Sequence, residues 1–243
     1  RKEPPPSTHA FNTGRDIAAS PRMQRYLAQE IEHLIARVQP GDVVLELGCG
    51  YGRVALPLAR AGAEVLGIDV SENSLAMARR LAKEAGLAER CRFLCMDALA
   101  LDLPEHSFDV VACVQNGVGA FRADPRALLS EAWRVLRPGG RLLLSTYAAA
   151  IWAERLVWFE TQAAHGLVGP IDHAASGDGV IVCTDGFRSG CASAIDFRAW
   201  ARELGVEPVV DEVDGSSLWC EVRKPHARGS STGATASHRS LGV

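Results

Sequence analysis

The stretch from Val43 to Val54 constrains this chain more than any other. Five residues of strand character, Val43–Leu47, run into glycines at alternate positions, Gly48, Gly50 and Gly52, and a helical pattern follows. Glycine lets a backbone take φ > 0 or come close to a ligand. A strand, a glycine turn and a helix N-terminus together present free N–H groups above a sheet edge. The next strand-like run, Glu64–Ile68, ends at Asp69, 21 residues after Gly48. An acidic residue about 20 positions on is placed to accept hydrogen bonds from a ribose diol.

The spacing separates two classes of nucleotide site. Dinucleotide sites read G-x-G-x-x-G, whereas this chain reads Glu46-x-Gly48-x-Gly50-x-Gly52, with a carboxylate two residues before the first glycine. That form resembles motif I of the class I S-adenosylmethionine (SAM) methyltransferases. Further matches follow in order: Asp69 with Val70 and Ser71, then Met96-Asp97-Ala98, then Leu136–Arg141. The resemblance covers residues 40–147 well and the remainder loosely. It implies a SAM-dependent methyltransferase with Glu46, Gly48, Cys49, Gly50, Gly52, Asp69, Val70, Asp97, Ala98 and Gln115 on the cofactor side. In that scheme the Gly48–Gly52 loop lets the methionine part approach the backbone, and Asp69 holds the ribose diol. Asp97 meets the adenine, and Glu46 orders the loop directly or through water.

Composition bounds the rest. The 243 residues suit one domain with a cap, and 47% hydrophobic with 23% charged residues is ordinary for a soluble globular protein. A net charge of −3 gives no electrostatic footprint for nucleic acid or anionic membrane. No apolar run reaches the 18 residues a span requires, so neither membrane nor nucleic acid is an expected partner. Seven cysteines without a regular framework, several of them in apolar runs (Cys95, Cys113, Cys183), read as reduced packing thiols. Cytoplasmic localisation is the matching expectation. Cys183 and Cys191, set across a predicted hairpin, lack the C-x-x-C spacing of a metal site, and no metal is expected.

Strand and helix patterns alternate through most of the chain. The expected fold is α/β, Rossmann-like and doubly wound: a mostly parallel seven-stranded sheet with an antiparallel last strand and a small cap insert. Residues 1–19 read as a Pro-rich arm, 20–225 as the methyltransferase domain and 226–243 as a disordered tail. Ser20-Pro21 opens a helix whose Tyr26, with the Asn12 region, is a candidate to face the ligand. Helices are expected over Arg53–Ala61, after Ser71, and from Asp124-Pro125 to Pro138. Strands are expected at Cys91–Met96, Asp109–Val114, Arg141–Tyr147, Val206–Val213 and Leu218–Arg223.

The insert, residues 151–194, is the part least like the family. It holds a helical stretch, Ile151–His165, with Trp152, Leu156 and Phe159 on one side and Trp158 on the other. A polar loop, Gly166–Gly179, follows, then a hairpin turning at Asp185-Gly186. The insert is the expected lid over a small-molecule acceptor, and His165, Asp172 and His173 are its polar candidates. Gln115 and Asn116 lie just beyond strand four, where an open α/β sheet places its ligand. Asn116, His165 and His173 are therefore the acceptor-side catalytic candidates. Some amine- and base-methylating families carry Pro-Pro-Tyr after that strand, and this chain does not. The competing functions are a methyltransferase acting on a protein or other macromolecule, and an NAD(P)-binding or non-catalytic nucleotide-binding Rossmann module.

Overall fold

A computed structural model describes residues 19–115, 117–120 and 125–226. The Asn12 region, the arm as far as residue 18, Asn116, the Asp124 cap and the tail from residue 227 lie outside the described residues. The chain runs α1 (Pro21–Ile35), β1 (Val43–Leu47), α2 (Ala55–Arg60), β2 (Glu64–Asp69), α3 (Glu72–Glu84), β3 (Cys91–Cys95) and β4 (Phe108–Cys113). A single helical turn α4 (Gly117–Ala120) precedes α5 (Pro125–Val135) and β5 (Leu136–Tyr147). The insert follows as α6 (Trp152–Ala164), β6 (Ile181–Val182) and β7 (Arg188–Ser189), and α7 (Ala194–Glu203), β8 (Val209–Val213) and β9 (Ser217–Arg223) close the fold.

The seven-stranded sheet has the order β3-β2-β1-β4-β5-β9-β8. Strands β1 to β5 pair in parallel, and β9 runs antiparallel to both β5 and β8. Strand order reverses between β1 and β4, and the crevice beyond their carboxyl ends is where such sheets bind ligands. Every β1 residue is buried, because helices cover both faces at the centre of the sheet. One face packs Leu45, Val111 and Leu144 under α5 and α7; the other packs Val44, Val110 and Leu143 under α1, α2 and α3.

Local signals account for most element ends. Ser20 Oγ accepts from Met23 N–H with proline at the first helical position, and Ser71 Oγ accepts from Ser74 N–H. Ser193 and Asp196 form a reciprocal capping box at α7. Two of the boundaries that differ from the sequence pattern have a local cause. Helix α2 begins at Ala55 rather than Arg53, because residues 51–54 are used to complete the glycine turn. Helix α5 ends at Val135 and β5 begins at Leu136, so Pro138–Gly140 lies within the strand at a register shift against Phe108 and Val110. A Cβ on Gly140 would meet the Asp109 and Arg137 carbonyls at 2.9 Å, which is why that irregularity carries a glycine.

The insert packs as a small third core. Met23, Tyr26 and Leu27 of α1 meet Tyr147, Ile151, Trp158, Phe159 and Ile181. Trp158 and Phe159 are both buried, so α6 is covered on two sides rather than presenting Trp158 outward. The hairpin is antiparallel, but its turn is longer than Asp185-Gly186: Gly186 N–H donates to Cys183 O, and Cys183 N–H donates to Phe187 O. Cys183 therefore lies opposite Phe187, while Cys191 Sγ donates to Gly179 O at 3.3 Å, and the two cysteines do not face each other. Among the described residues no group of His, Cys, Asp or Glu could hold a metal ion, and no helix is long and apolar enough to cross a membrane.

Gly67 in β2 is a packing requirement absent from the motif. A Cβ there would stand 2.8 Å from Cys49 Sγ and 2.9 Å from the Phe93 ring, both in the core. Gly67→Ala is expected to cost about 1–3 kcal/mol through overpacking. Urea unfolding should show a lower midpoint at unchanged slope, and an unchanged midpoint would mean the β2 face has room to relax.

Candidate functional site

The glycine loop hangs from the end of β2. The N–H groups of Gly48 and Cys49 both donate to Ile68 O at 2.9 Å, which folds the loop back over the neighbouring strand. Gly50 N–H donates to Asp69 Oδ2 at 2.9 Å, and Ser71 N–H to Asp69 Oδ1 at 2.8 Å. Gly48, Gly50 and Gly52 have φ of 72°, 55° and 87°, a region that side chains disfavour. Gly52 has a second reason to be glycine, since a Cβ there would lie 3.1 Å from the Phe93 ring. The Cys49 side chain is buried against Gly67, and its Sγ donates to Gly50 O at 3.7 Å.

Asp69 is thus a clamp before it meets any ligand. An ionised carboxylate has about four lone-pair directions, and the two backbone bonds leave the others toward the crevice. Val70 beside it is 66% exposed, an apolar surface at the carboxyl edge suited to a flat ring. Asp97 is exposed and accepts from Leu99 N–H at 2.9 Å, and Ala98 is buried. Met96 N–H donates to Asp69 O, so the ends of β2 and β3 are held side by side.

Glu46 lies below the loop at 3% exposure, and its Oε2 has no hydrogen-bond partner. Burial raises its carboxyl to about 8; the Arg53 charge and a hydrogen bond from Ala55 N–H only partly oppose this. It borders a cavity of about 40 Å³, shared with Gly48, Gly50, Tyr51, Arg53 and Gln115.

Beside that cavity stands a buried polar network that the sequence pattern did not reveal. Arg53 Nη2 donates to Glu30 Oε2 at 3.0 Å, Nη1 to Leu27 O, and Nε to Gln115 Oε1 at 3.1 Å. Glu30 Oε1 accepts from Ser145 Oγ at 2.5 Å and from Gln115 N–H at 3.1 Å. Gln115 takes φ of 54°, an uncommon conformation for a residue with a side chain, held by hydrogen bonds to three partners, Arg53, Glu30 and Ser145. Tyr26 is fully buried against Tyr147, with ring centroids 5.3 Å apart, so it packs under the insert rather than facing the crevice. Burial and the neighbouring Glu30 charge hold its hydroxyl well above the usual tyrosine range.

A second, larger cavity of about 870 Å³ opens at the carboxyl end of β5. Trp152 and Arg155 wall it from the insert side, and Tyr147, Leu218 and Glu212 from the sheet side. Strand β7 of the insert packs on α4, the turn that follows β4, and Ala192 N–H donates to Thr146 Oγ1. The insert therefore lies over the ends of both β4 and β5. His165 and His173 border neither cavity: both are exposed, His165 Nδ1 bonding Thr161 O and His173 lying 3.6 Å from Glu160. Asp172 Oδ1 accepts from Ala174 and Ala175 N–H groups and serves its own turn. Burial pushes the Cys91, Cys113 and Cys220 thiols up to about 12, which suits packing rather than nucleophilic roles.

Two outcomes are expected from this geometry. Between pH about 4.5 and about 8 the folded state keeps the Glu46 proton that the unfolded chain has released. Stability should therefore be highest below that window and fall as pH rises through it. Urea midpoints of Glu46→Gln should lose that part of the slope, and identical slopes would show that Glu46 is ionised when folded. For the ion pair, Glu30→Met should cost about 3–5 kcal/mol, because it leaves Arg53 buried without its partner. Adding Arg53→Met should restore part of the loss; strict additivity in this double-mutant cycle would show that the pair is uncoupled.

Comparison with known proteins agrees with this geometry. The family described as methyltransferase domain matches residues 44–140. A ubiquinone biosynthesis O-methyltransferase of Pseudomonas fluorescens is 37% identical over 106 residues, covering 44% of this chain and 44% of that protein. A sterol 24-C-methyltransferase of Saccharomyces cerevisiae is 33% identical over 144 residues, covering 58% of this chain and 34% of its own length. The chain thus spans less than half the length of these curated relatives. In fold it is similar to a putative SAM-dependent methyltransferase from Methanococcus maripaludis, with a TM-score of 0.65, 14% identity, and coverage of 94% and 99% of the two chains. It is also similar to the cyclase SpnF, with a TM-score of 0.61, 21% identity and 82% coverage of each chain. The matched segment runs from β1 to the start of β5 and contains the glycine loop, Asp69 and Asp97: over this segment the chain is similar to the methyltransferase domain family, on a sheet of the Rossmann-like methyltransferase fold.

Proposed function

We propose that this protein transfers a methyl group from SAM to a small molecule held in the cavity beside the insert. The observation that carries the reading is the placement of that cavity. Gln115 borders the small cavity and hydrogen-bonds Ser145, and Tyr147, two residues farther along β5, walls the large one. Two residues of strand span about 7 Å, so the two sites share the carboxyl edge of adjacent strands. A volume of about 870 Å³ is in the range of small-molecule pockets. A protein or nucleic-acid substrate calls instead for an open, charged groove at this edge, and the insert covers it.

The residues present fit the cofactor. The Glu46 carboxyl, with an oxygen lacking a partner, would release its proton to solvent as the ammonium end settles beside it, and the Gly48 and Gly50 backbone leaves room for the methionine part. Asp69 would hold the ribose diol with its remaining lone pairs, and Val70 with the Asp97-Ala98 segment would receive the adenine. SAM supplies an electrophilic methyl on a sulfonium that becomes neutral as the methyl leaves. The protein's share is then to align the acceptor and exclude water. The Glu30–Arg53–Gln115–Ser145 network serves alignment by fixing the edge between the two cavities. Tyr147, Trp152 and the insert serve exclusion.

Calorimetry with SAM and label transfer from methyl-labelled SAM test the two halves. Asp69→Asn should weaken SAM binding roughly tenfold or more while the protein stays folded. Label incubated with a cell extract should appear in the dialysable fraction. Transfer confined to retained macromolecules would overturn the small-molecule reading, and unchanged SAM affinity in Asp69→Asn would overturn the assignment of the ribose contact. Trp152→Ala should lower transfer while leaving SAM affinity within about twofold, as a contact on the acceptor side alone would do.

A further inference from the structure

Arg155 is the one charged side chain of α6 that is fully closed off, at 1% exposure, and it borders the large cavity. Its guanidinium lies 4.1 Å above the Tyr147 ring, and Trp152 and Phe159 flank it at 5.8 and 5.7 Å. Nη1 donates to Gly179 O at 2.8 Å, and Nη2 to Ser189 O and Oγ at 2.6 and 2.9 Å. Its Nε–H is buried and has no partner. Among the described residues, no carboxylate lies within ion-pair distance of it. A buried charge without a counter-charge is costly, and a buried donor without an acceptor adds to the cost. The backbone carbonyls satisfy hydrogen atoms but bring no negative charge.

The same cavity is bordered by Asp178, Asp196 and Glu212. Asp196 is occupied by the capping box at α7, and Asp178 and Glu212 are exposed. They stand at the mouth and do not reach the guanidinium. They would repel a group carrying two negative charges more than a group carrying one.

We propose that Arg155 is the recognition point for a carboxylate on the methyl acceptor, so that the enzyme's substrates are monoanionic carboxylic acids with an apolar, ring-compatible body. This rests on the reading of the large cavity as the acceptor site. A carboxylate oxygen at Nε supplies both the missing acceptor and the missing charge. Tyr147 and Trp152 give the body of the molecule an aromatic wall. The mouth acids disfavour a phosphate ester in the same place.

The test uses the full chain and three probes of similar shape: benzoate, benzamide and phenyl phosphate. Binding is followed by NMR through the Trp152 indole and the Arg155 Nε–H resonance, which Arg155→Lys identifies by its disappearance; Trp152→Phe assigns the indole in the same way. Benzoate should shift both signals and bind about tenfold more tightly than benzamide, as expected for a charge-assisted hydrogen bond. Phenyl phosphate should bind no more tightly than benzoate. Equal binding of benzoate and benzamide, with the Trp152 signal moving for both, would overturn carboxylate recognition and leave the cavity as the acceptor site. Tighter binding of phenyl phosphate would overturn the carboxylate assignment in favour of a phosphate. Failure of all three to move the Trp152 signal would remove the acceptor cavity, and this proposal with it. If Arg155→Lys does not fold, the ratio of benzoate to benzamide affinity on the unaltered protein decides the question alone.

Discussion

Glu30 and Arg53 form an ion pair shut away from water, and the carboxyl edge of the sheet is assembled around it. The Glu30 side chain has no exposure, and Arg53 has 11%. Such a pair persists only when further hydrogen bonds satisfy both groups. Here Leu27 O, Gln115 and Ser145 supply them. The pair therefore fixes three things at once: the seat of α1, the exit of the glycine loop, and the unusual backbone of Gln115 after β4. Removing either charge leaves the other buried, which disturbs the strand ends where the ligand groups meet.

The loop itself is a smaller device of the same kind. Its amides are split between a carbonyl of β2, which takes Gly48 and Cys49, and the Asp69 carboxylate, which takes Gly50. Positive φ at Gly48 and Gly50 keeps side-chain atoms out of the approach path. Asp69 ties the loop to the turn after β2 and keeps lone pairs to spare, because a carboxylate has more of them than the two backbone N–H groups consume. Glu46 shows the opposite balance. It is buried with an oxygen that has no hydrogen-bond partner, and burial raises its carboxyl to about 8.

The insert adds a third core to a fold that already has two. It docks on α1 through Tyr26 and Trp158 and ties its hairpin together with Arg155, so its position depends on the same helix that the ion pair seats. A cavity remains because the aromatic wall, the segments on either side of the hairpin and strands β8 and β9 meet around it without filling it. The exposed residues His165 and His173 border neither cavity. The cavity's buried charge comes from an arginine instead.

Several features were legible because they are local. Three alternate glycines after a strand, a carboxylate 21 residues after the first of them, a Ser-Pro helix start and a capping box each involve residues a few positions apart or one strand-to-strand step away. Backbone conformation and hydrogen-bond geometry fix what such patterns do, whatever packs on top of them. The sequence by itself thus determined the doubly wound sheet, the cofactor loop and the acidic partner of that loop. It did not determine which polar side chains are buried. Glu30 and Arg155 are charged residues set on the apolar faces of their helices, Glu30 between Leu27 and Leu34 and Arg155 between Trp152 and Phe159, and both are 1% exposed because the insert and α1 cover one another. The partners of Glu30 lie 23 to 115 residues away, and those of Arg155 24 to 35. Whether a charge is solvated, and what it pairs with, depends on what the whole chain stacks above it, so only the tertiary structure could show that these two charges are closed off and which distant groups satisfy them.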